Sequence, residues 1–419
     1  MRGFVISWYF PPINSSEGLV TFKLLKNSKY KYDVFTQKSN ESWSYGSKET
    51  KLVSSNINTI FSKTSDINEW VNEGIEYFDQ NKDKYDFIMS RSMAPESHMI
   101  ALKIKEKYPG VKWIASFGDP LTDNPYSYFF DNKSPYAVAP YGYDYLSIKR
   151  LFNVKRIIKN TLWKHRKRSY EKKNDNKQVY ERLQRETLEL ADRIILNNEF
   201  QKNHMLKEKS QEIIDKTIVF PHTYDADFYD KKTKKHNEKI VFSYVGHLDH
   251  IRTPLNFLQA LERLKEKNEE AYNKIEVNFY GNLADSDKLY IINNNLCDIV
   301  NVKKPVTYFE SLKIMQESDW LLLIDANLGK YMNENIFFAA KIADYLGSMS
   351  NIFAVTMDNG ASADIMRETN SVLTSYSVDE IYMKLLMIIN GKCPNKTINQ
   401  DHYDIRKVVS KYDDMVKEL

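Results

Sequence analysis

A repeating order of short apolar runs and longer helical patterns is the feature that most constrains the fold of this chain. Seven apolar runs in the first half are typical of β-strands: 3–8, 32–36, 58–61, 87–90, 113–116, 193–196 and 217–220. Helical patterns fall between several of them, for example at 97–108 and 180–190. Strands that alternate with helices predict βαβ units and a parallel sheet covered by helices on both faces.

The same order begins again in the second half of the chain. Strands are predicted at 240–245, 275–280, 320–324, 352–355 and 371–373, and helices at 255–267, 311–317, 341–346 and 378–390. The run 230–239 between the two halves contains no apolar residue and is typical of a linker. A chain of 419 residues is also too long for one ordinary core and suits two domains of roughly 200 residues each.

We therefore predict two doubly wound, Rossmann-like α/β domains that face each other across a cleft. The first domain covers 1–229, a linker covers 230–239, the second domain covers 240–400, and a C-terminal helix within 401–419 packs back on the first domain. In open parallel sheets, ligands bind beyond the carboxyl ends of the strands, at the point where strand order reverses. The predicted site is thus the cleft between the domains, built from loops that follow strands.

Composition excludes several classes of protein. The net charge of +4 gives no polyelectrolyte character that would indicate nucleic-acid binding. Cys297 and Cys393 are too few for a disulfide framework, and no Cys/His spacing is typical of a metal site. The N-terminus shows no signal-peptide pattern, and no apolar run is long enough to span a bilayer. We expect a protein of the cytoplasm.

The loop after the first strand of the second domain has the composition of an anion site. A strand ends at Val245, Gly246 permits close backbone approach, and a helix begins near Thr253-Pro254. Arg252 stands just before that helix, where backbone N–H groups and a guanidinium together favour a diphosphate. The alternative is a glycine turn with a solvated arginine.

Two later loops of the second domain repeat the strand-to-loop arrangement. One strand runs into Gly281-Asn282, and another is followed by a loop rich in polar residues, Asn327, Asn333, Glu334 and Asn335. Lys341 and Asp344 lie three residues apart on the next helix and share a face. They could hold a phosphate and a sugar hydroxyl, or form a surface ion pair.

The loop within 6–19, ISWYFPPINSSEGL, is the most unusual of the first domain. Pro11-Pro12 stops the first strand, and a cluster of short polar residues follows: Asn14, Ser15, Ser16 and Glu17. A plain connector needs neither, so we expect a loop that receives a ligand. His98 begins a helix after a strand, and Asp119 lies in a turn that ends another strand. Each could face the cleft; the alternatives are a purely structural polar residue and an Asx turn before proline.

Motifs along almost the whole chain resemble one known family. In chain order they are Tyr9-Phe10-Pro11-Pro12, Ser92-Met93-Ala94-Pro95-Glu96-Ser97-His98, Phe117-Gly118-Asp119-Pro120-Leu121, Glu189-Leu190-Ala191-Asp192-Arg193-Ile194-Ile195, Val245-Gly246 with Arg252-Thr253-Pro254, and Lys341-Ile342-Ala343-Asp344-Tyr345-Leu346. Each motif is degenerate, but their order and spacing together are fairly specific. They look like the two-domain (GT-B) glycosyltransferases, in particular the nucleotide-sugar-dependent retaining enzymes of family four.

The resemblance implies a division of roles between the domains. A UDP- or GDP-linked sugar would bind the second domain, through Gly246, His247, Arg252, Gly281, Asn282, Glu334, Asn335, Lys341 and Asp344. The acceptor would bind the first domain, through Asn14, Ser15, Ser16, Glu17, His98 and Asp119. The implied catalytic residues are Arg252, Lys341 and Asp119. No metal or other cofactor is implied, because helix N-termini and basic side chains would stabilise the leaving diphosphate.

The chain departs from the family pattern where a sugar would be held. Asp344 matches the second acid of the family's E-x7-E pattern, which usually holds the ribose hydroxyls, but Ile336 stands in the place of the first acid. Glu334 or Asn335 replaces that acid only if the loop is shifted. His247 occupies a position that is often arginine in the family, so phosphate binding would depend on Arg252 and Lys341.

A basic amphipathic segment at 147–173 suggests a membrane surface. It holds eleven Lys or Arg and one Glu, with apolar residues at helical spacing. Such a helix is attracted to anionic lipid headgroups; the alternative is a helix packed on the first domain with a solvated basic face. With it we expect a peripheral protein at the inner face of the plasma membrane.

The sequence thus predicts a metal-independent, retaining glycosyltransferase. It would move a hexose from a nucleotide sugar to a glycan or polyprenyl-linked acceptor, in bacterial polysaccharide or cell-envelope synthesis. Two alternatives stay open: an inactive GT-B-like adaptor, because the first acid is missing, and a nucleotide-sugar epimerase, which shares the two-domain architecture.

Overall fold

The computed structural model of the chain describes residues 1–39, 49–125, 177–230, 237–248, 251–393 and 398–419. The predicted basic helix at 147–173 and most of the predicted linker, 231–236, lie outside the described residues. In the described part of the chain, no helix has the length and apolar character needed to cross a bilayer.

The first sheet is parallel throughout. Its strands are β1 (Arg2–Ser7), β2 (Lys31–Thr36), β3 (Ile57–Phe61), β4 (Phe87–Arg91), β5 (Lys112–Ser116), β6 (Arg193–Leu196) and β7 (Thr217–Val219). Their order across the sheet is β3-β2-β1-β4-β5-β6-β7. The described helices of this domain are α1 (Ser16–Asn27), α2 (Ile67–Asn81), α3 (Glu96–Lys107), α4 (Lys177–Leu190), α5 (Glu199–Leu206) and α6 (Gln211–Asp215).

The second sheet repeats the arrangement with one strand fewer among the described residues. Its strands are β8 (Ile240–Val245), β9 (Ile275–Tyr280), β10 (Val300–Lys303), β11 (Trp320–Ile324), β12 (Asn351–Val355) and β13 (Val372–Thr374), in the order β10-β9-β8-β11-β12-β13. The helices are α7 (Leu255–Lys267), α8 (Glu269–Tyr272), α9 (Asp285–Asn293), α10 (Tyr308–Glu317), α11 (Ala340–Gly347), α12 (Ala361–Glu368) and α13 (Val378–Ile389).

Both sheets are doubly wound, which confirms the predicted fold class. Strand order reverses between β1 and β4 in the first sheet and between β8 and β11 in the second. The central strands are mostly apolar because both faces of each sheet are covered; in β11 every residue is apolar and buried. The loops after β1, β4, β8 and β11 therefore open at the edges where doubly wound sheets bind ligands.

An apolar cluster joins the two domains below the cleft. The ring of Phe228 lies 6.5 Å from that of Phe22 on α1 and 5.6 Å from that of Phe309 on α10. Aromatic contacts of this kind remove large apolar areas from water and hold the packed elements in register. The two sheets are thus held with their carboxyl edges facing each other.

The C-terminal helix, α14 (Ile405–Lys417), contacts the first domain although it follows the second in sequence. Its Asp413 accepts hydrogen bonds from Ser28 Oγ at 2.5 Å and from the backbone N–H of Lys29 at 3.2 Å. Tyr412 is fully buried, and its hydroxyl lies 3.5 Å from Met89 Sδ of β4. These contacts attach the end of the chain to α1 and the first sheet.

Candidate active site

A cleft of about 510 Å³ lies between the two domains. Its wall in the first domain comes from the loops after β1 and β5, from α1 and from the segment after β7. Its wall in the second domain comes from the loops after β8, β9 and β10 and from the start of α11. The predicted site residues that line it are Asn14, Ser16, Glu17, Asp119, Gly246, His247, Arg252, Gly281, Asn282, Lys341 and Asp344.

Two glycine-containing turns form part of the second-domain wall of the cleft. Gly246 and Gly281 have φ of 129° and 143°, a region that favours glycine. The N–H of Gly246 donates to the carbonyl of Tyr280 at 2.9 Å, so the turns after β8 and β9 are tied together. A Cβ on Gly281 would collide with the carbonyl oxygen of Gly246, and one on Gly246 would lie 2.9 Å from Lys341 Nζ. Glycine is therefore required for the close approach of the two turns to each other and of Gly246 to Lys341.

Lys341 places an ammonium group directly beneath the Gly246 turn. Its Nζ donates to the Tyr244 hydroxyl at 2.6 Å and to the Val245 carbonyl at 3.2 Å, and it lies 4.0 Å from the centroid of the Tyr244 ring. The pKa of Lys341 is lowered to about 7, first by burial and then by the positive charge of Arg252, while Asp325 opposes the shift. A bound anion would favour the charged form, so this site is poised to take up a proton with an anionic ligand.

Asp344 binds a partner that the sequence did not suggest. It lies on α11 with Lys341, but its Oδ1 accepts from Lys23 Nζ at 3.2 Å and from the Tyr308 hydroxyl at 3.0 Å. Lys23 belongs to α1 of the first domain, and only 2% of its side chain is exposed. The ion pair joins the two domains at the base of the cleft and holds the Asp344 carboxylate in one orientation.

The first-domain wall carries two acids close to a buried arginine. Glu17 Oε2 accepts from Arg91 Nε at 2.9 Å, and Arg91 also donates to Ser116 Oγ at 2.9 Å. Burial, and secondly the charge of Glu17, raise the pKa of Asp119 to about 6, while Arg91 and Arg252 oppose the rise. Asp119 therefore changes charge near neutral pH, within electrostatic range of Arg252 on the opposite wall.

Lys23 and His222 line the cleft but were not predicted. Lys23 had a signal, because it lies four residues after Leu19 on the apolar stripe of α1, where a cation needs a buried partner. His222 follows the last strand of the first domain, in the segment that leads towards the second domain. No sequence pattern distinguishes it from an ordinary loop histidine.

His98 is placed in the core of the first domain rather than on the wall of the cleft. It is fully buried, its Nδ1 lies 2.7 Å from Ser90 Oγ, and its ring packs 4.5 Å from that of Phe117. Burial lowers its pKa to about 3, with a smaller effect from Arg91. Its predicted contact with an acceptor does not agree with this position, because no surface of the side chain is open to a ligand.

The loop before α11 does not supply a substitute for the missing acid at the cleft. Ile336 is buried in an apolar cluster with Leu328 and Phe337. Asn335 is 1% exposed and shapes the loop: its Oδ1 accepts from the N–H of Phe337 at 3.0 Å. Neither Glu334 nor Asn335 is among the residues that line the cleft.

Ser15 is not among the residues that line the cleft. It occupies the position before α1, and its carbonyl accepts a hydrogen bond from the N–H of Leu19 at 3.1 Å. Its neighbour Ser16 does line the cleft. In the described part of the chain, no group of three or more His, Cys, Asp or Glu side chains is placed to hold a metal ion.

Comparison with known proteins finds likeness in structure and not in sequence. No protein-family model and no curated protein sequence matches the chain. A sucrose-phosphate synthase from Thermosynechococcus elongatus is similar over 100% of this chain and 95% of its own, with a TM-score of 0.61 and 10% identity. The lipopolysaccharide outer core galactosyltransferase WaaB, in its apo form, is similar over 100% and 99%, with a TM-score of 0.60 and 11% identity.

These full-length matches decide the architecture. The fold is GT-B. A UDP-GlcNAc 2-epimerase from Neisseria meningitidis, solved with UDP-GlcNAc, matches 100% of both chains with a TM-score of 0.55 and 12% identity. GT-B architecture is therefore shared here by transferases and epimerases, and identities this low establish the fold alone. The narrower resemblance to family four stays a prediction.

Proposed function

We propose that this GT-B protein is a glycosyltransferase that moves a hexose from a nucleoside diphosphate sugar to a glycan or lipid-linked acceptor. The observation that carries the proposal is the second-domain wall of the cleft, where two glycine turns meet a buried lysine and an arginine. Gly246 and Gly281 bring their backbone to the cleft, and Lys341 and Arg252 line the same space with basic groups. Such a surface suits a diphosphate better than a neutral ligand.

The two cations have a direct task in this reaction. When the bond between the sugar and the diphosphate breaks, negative charge grows on the leaving group, and preorganised positive charge lowers the barrier. Lys341 is held by Tyr244 and the Val245 carbonyl, so it needs little rearrangement to meet that charge. We propose that these side chains stabilise the leaving diphosphate without a metal ion, and that added EDTA leaves turnover unchanged.

The remaining details of the proposal come from the resemblance in sequence. Retention of the anomeric configuration, a hexose as the transferred sugar and a role in bacterial polysaccharide or cell-envelope synthesis are the family's properties. Asp119, with a pKa near 6, and Glu17 stand on the wall where an acceptor would approach. Association with an anionic membrane surface depends on the segment 147–173.

Titration calorimetry with UDP, GDP and a panel of their sugars tests the proposal directly. The wild-type protein should bind at least one nucleotide and, in mass spectrometry, hydrolyse or transfer the matching sugar. Arg252→Ala should weaken nucleotide binding about 10- to 100-fold, the effect of losing a hydrogen bond to a charged group. Arg367→Ala is the matched control, because Arg367 is exposed and pairs with Asp358 and Asp364 on the surface. Absence of binding by every nucleotide would rule out the transferase.

An epimerase is the second candidate, and the structural likeness to UDP-GlcNAc 2-epimerases favours it over other classes. An epimerase converts its nucleotide sugar with no acceptor present and releases no free nucleotide. Incubation of single nucleotide sugars, followed by chromatography of the sugar and the nucleotide, separates the two activities. If the protein binds nucleotide sugars but neither converts nor transfers them, it is an inactive adaptor. This alternative stays open because the buried Ile336 stands where the family has an acid.

A further inference from the structure

His222 is a buried histidine on the wall of the cleft. It follows β7, has 4% of its surface exposed, and lines the same space as Lys341 and Arg252. Its ring packs 5.1 Å from the ring of Phe338, three residues before Lys341. The side chain is therefore held between the first domain and the loop that leads into α11.

One ring nitrogen of His222 lacks the hydrogen bond that a buried polar group normally makes. Its Nδ1 is shielded from solvent, and the described residues offer it no hydrogen-bond partner. Most buried polar side-chain atoms in folded proteins are paired, because an unpaired one loses its hydrogen bonds to water without replacement. Since Nδ1 is closed off, Nε2 is the ring nitrogen that a ligand in the cleft can reach.

The surroundings keep the ring uncharged. Burial lowers the pKa of His222 well below its ordinary value, and the charges of Arg91 and Lys23 lower it further. A neutral imidazole has one N–H and one lone pair. Because a buried N–H without an acceptor is less tolerable than an unpaired lone pair, we assign the proton to Nε2. The ring then offers an N–H donor to the cleft.

We infer that the Nε2–H of His222 donates a hydrogen bond to a hydroxyl oxygen of a sugar bound in the cleft. The inference rests on the proposed function and adds a residue that holds the sugar rather than the diphosphate. A neutral donor suits a hydroxyl, whereas phosphate oxygens are better matched by the cations Lys341 and Arg252. A hydroxyl of the donor sugar and one of the acceptor have the same chemistry, and the experiment distinguishes them.

His222→Phe and His222→Asn form the test. Phenylalanine keeps an aromatic ring against Phe338 but removes the N–H, and asparagine restores a donor. Calorimetry compares UDP and GDP with UDP-glucose, UDP-GlcNAc and GDP-mannose for each variant, and thermal melting reports on folding. His402→Phe is the control, since His402 is exposed and pairs with Glu368 outside the cleft.

A contact with the donor sugar predicts that His222→Phe binds the free nucleotide normally and the nucleotide sugar about fivefold more weakly, the effect of one neutral hydrogen bond. His222→Asn should recover part of that loss. A contact with the acceptor predicts unchanged donor affinity and donor hydrolysis, together with slower transfer to a panel of disaccharides. Either result supports the inference and names the source of the hydroxyl.

Other results overturn it. If His222→Phe leaves the affinity for nucleotide sugars, hydrolysis and transfer all unchanged while the wild-type protein is active, only this inference fails. An equal loss for the free nucleotide and its sugar would also reject it, because the contact would then lie at the nucleotide. If the wild-type protein binds no nucleotide sugar at all, the proposed function fails and this inference fails with it.

Discussion

The two walls of the cleft are built by different means. The second-domain wall consists of backbone turns at Gly246 and Gly281 together with two basic side chains, Arg252 and Lys341. The first-domain wall consists of side chains, with acids, a buried lysine and a neutral histidine close together. A cationic wall suits a leaving diphosphate, and a wall of mixed charge and hydrogen-bonding groups suits sugar hydroxyls. Under the proposed function, the second-domain wall would bind the leaving diphosphate and the first-domain wall would bind sugars.

The walls also differ in the charge state of their groups near neutral pH. On the second-domain wall, Lys341 has a lowered pKa of about 7. On the first-domain wall, Asp119 has a raised pKa of about 6. Both shifts arise first from burial, which disfavours the charged form of either group. An anionic ligand would restore the charge of Lys341 but not that of Asp119, so binding should increase the contrast between the walls.

The largest expected effect is the loss of the cation on the second-domain wall. Lys341→Met should lower turnover about 10²- to 10³-fold, the range for removing one group that stabilises transition-state charge. It should not lower the thermal midpoint, because the buried ammonium is unfavourable in the folded protein, as its lowered pKa indicates. Steady-state kinetics and calorimetric melting measure the two effects.

Lys313→Met is the matched control, since 54% of the Lys313 side chain is exposed on α10. It should change neither quantity. Full turnover in Lys341→Met would show that Lys341 does not stabilise the leaving group. The proposed difference in function between the two walls would then be wrong.

Removal of the link between the walls should have the next largest effect. Lys23→Met leaves the Asp344 carboxylate buried without its cation, which should lower the free energy of unfolding by about 3 kcal/mol. Nucleotide affinity should fall about tenfold, because Asp344 loses the charge-assisted hydrogen bond that fixes its orientation. Urea unfolding and calorimetry provide the measurements.

Lys26→Met, on the same helix, removes an ion pair with Asp225 inside the first domain. This control should lower stability and leave nucleotide affinity unchanged. A rise in affinity in Lys23→Met would mean that Lys23 competes with the ligand for Asp344, and the contact would then be a closed form of the cleft.

The smallest effect is the dependence of donor binding on pH. Lys341 is largely neutral above pH 7 in the free protein and charged when an anion is bound, so the complex holds more protons. Affinity for a nucleotide sugar should therefore fall as pH rises above about 7, by at most tenfold per unit. Calorimetry at pH 7.5 in HEPES and in Tris, two buffers with different ionisation enthalpies and no phosphate, should give different apparent enthalpies, because the buffer supplies the proton. The difference should disappear in Lys341→Met; if it persists there, another group on either wall takes up the proton.

Sequence patterns predicted the regular part of the fold better than its edges. Central strands such as β8 and β11 are mostly apolar and were predicted with their observed bounds. The strand β10 (Val300–Lys303) was missed, because it lies at the edge of the sheet and only Val300 is buried. The strand predicted at 371–373 is shifted by one residue from Val372–Thr374. Edge strands have one partner and a weaker hydrophobic pattern, so local sequence determines them less.

Site residues divide in the same way. Gly246, Gly281 and Lys341 follow or begin regular elements, and local sequence placed them at the cleft because parallel strands bring their carboxyl ends to one edge. Ser15 and His98 were also expected to contact ligand, but the tertiary packing decides whether a side chain near the start of a helix faces the cleft or the interior. His98 carries the chemistry of a ligand-binding residue, and packing against Phe117 places it in the core.

The sequence by itself determined the two doubly wound domains, most of their strands and the glycine turns that follow two of them. These depend on periodicity and backbone freedom, which are local properties of the chain. Only the tertiary structure decided which charges meet: Lys23 and Asp344 are 321 residues apart in sequence and 3.2 Å apart in the cleft. It also decided that Lys341 and His222 are buried beside other cations. The partner of a charged side chain and its protonation state follow from packing and desolvation, and the neighbouring residues in sequence determine neither.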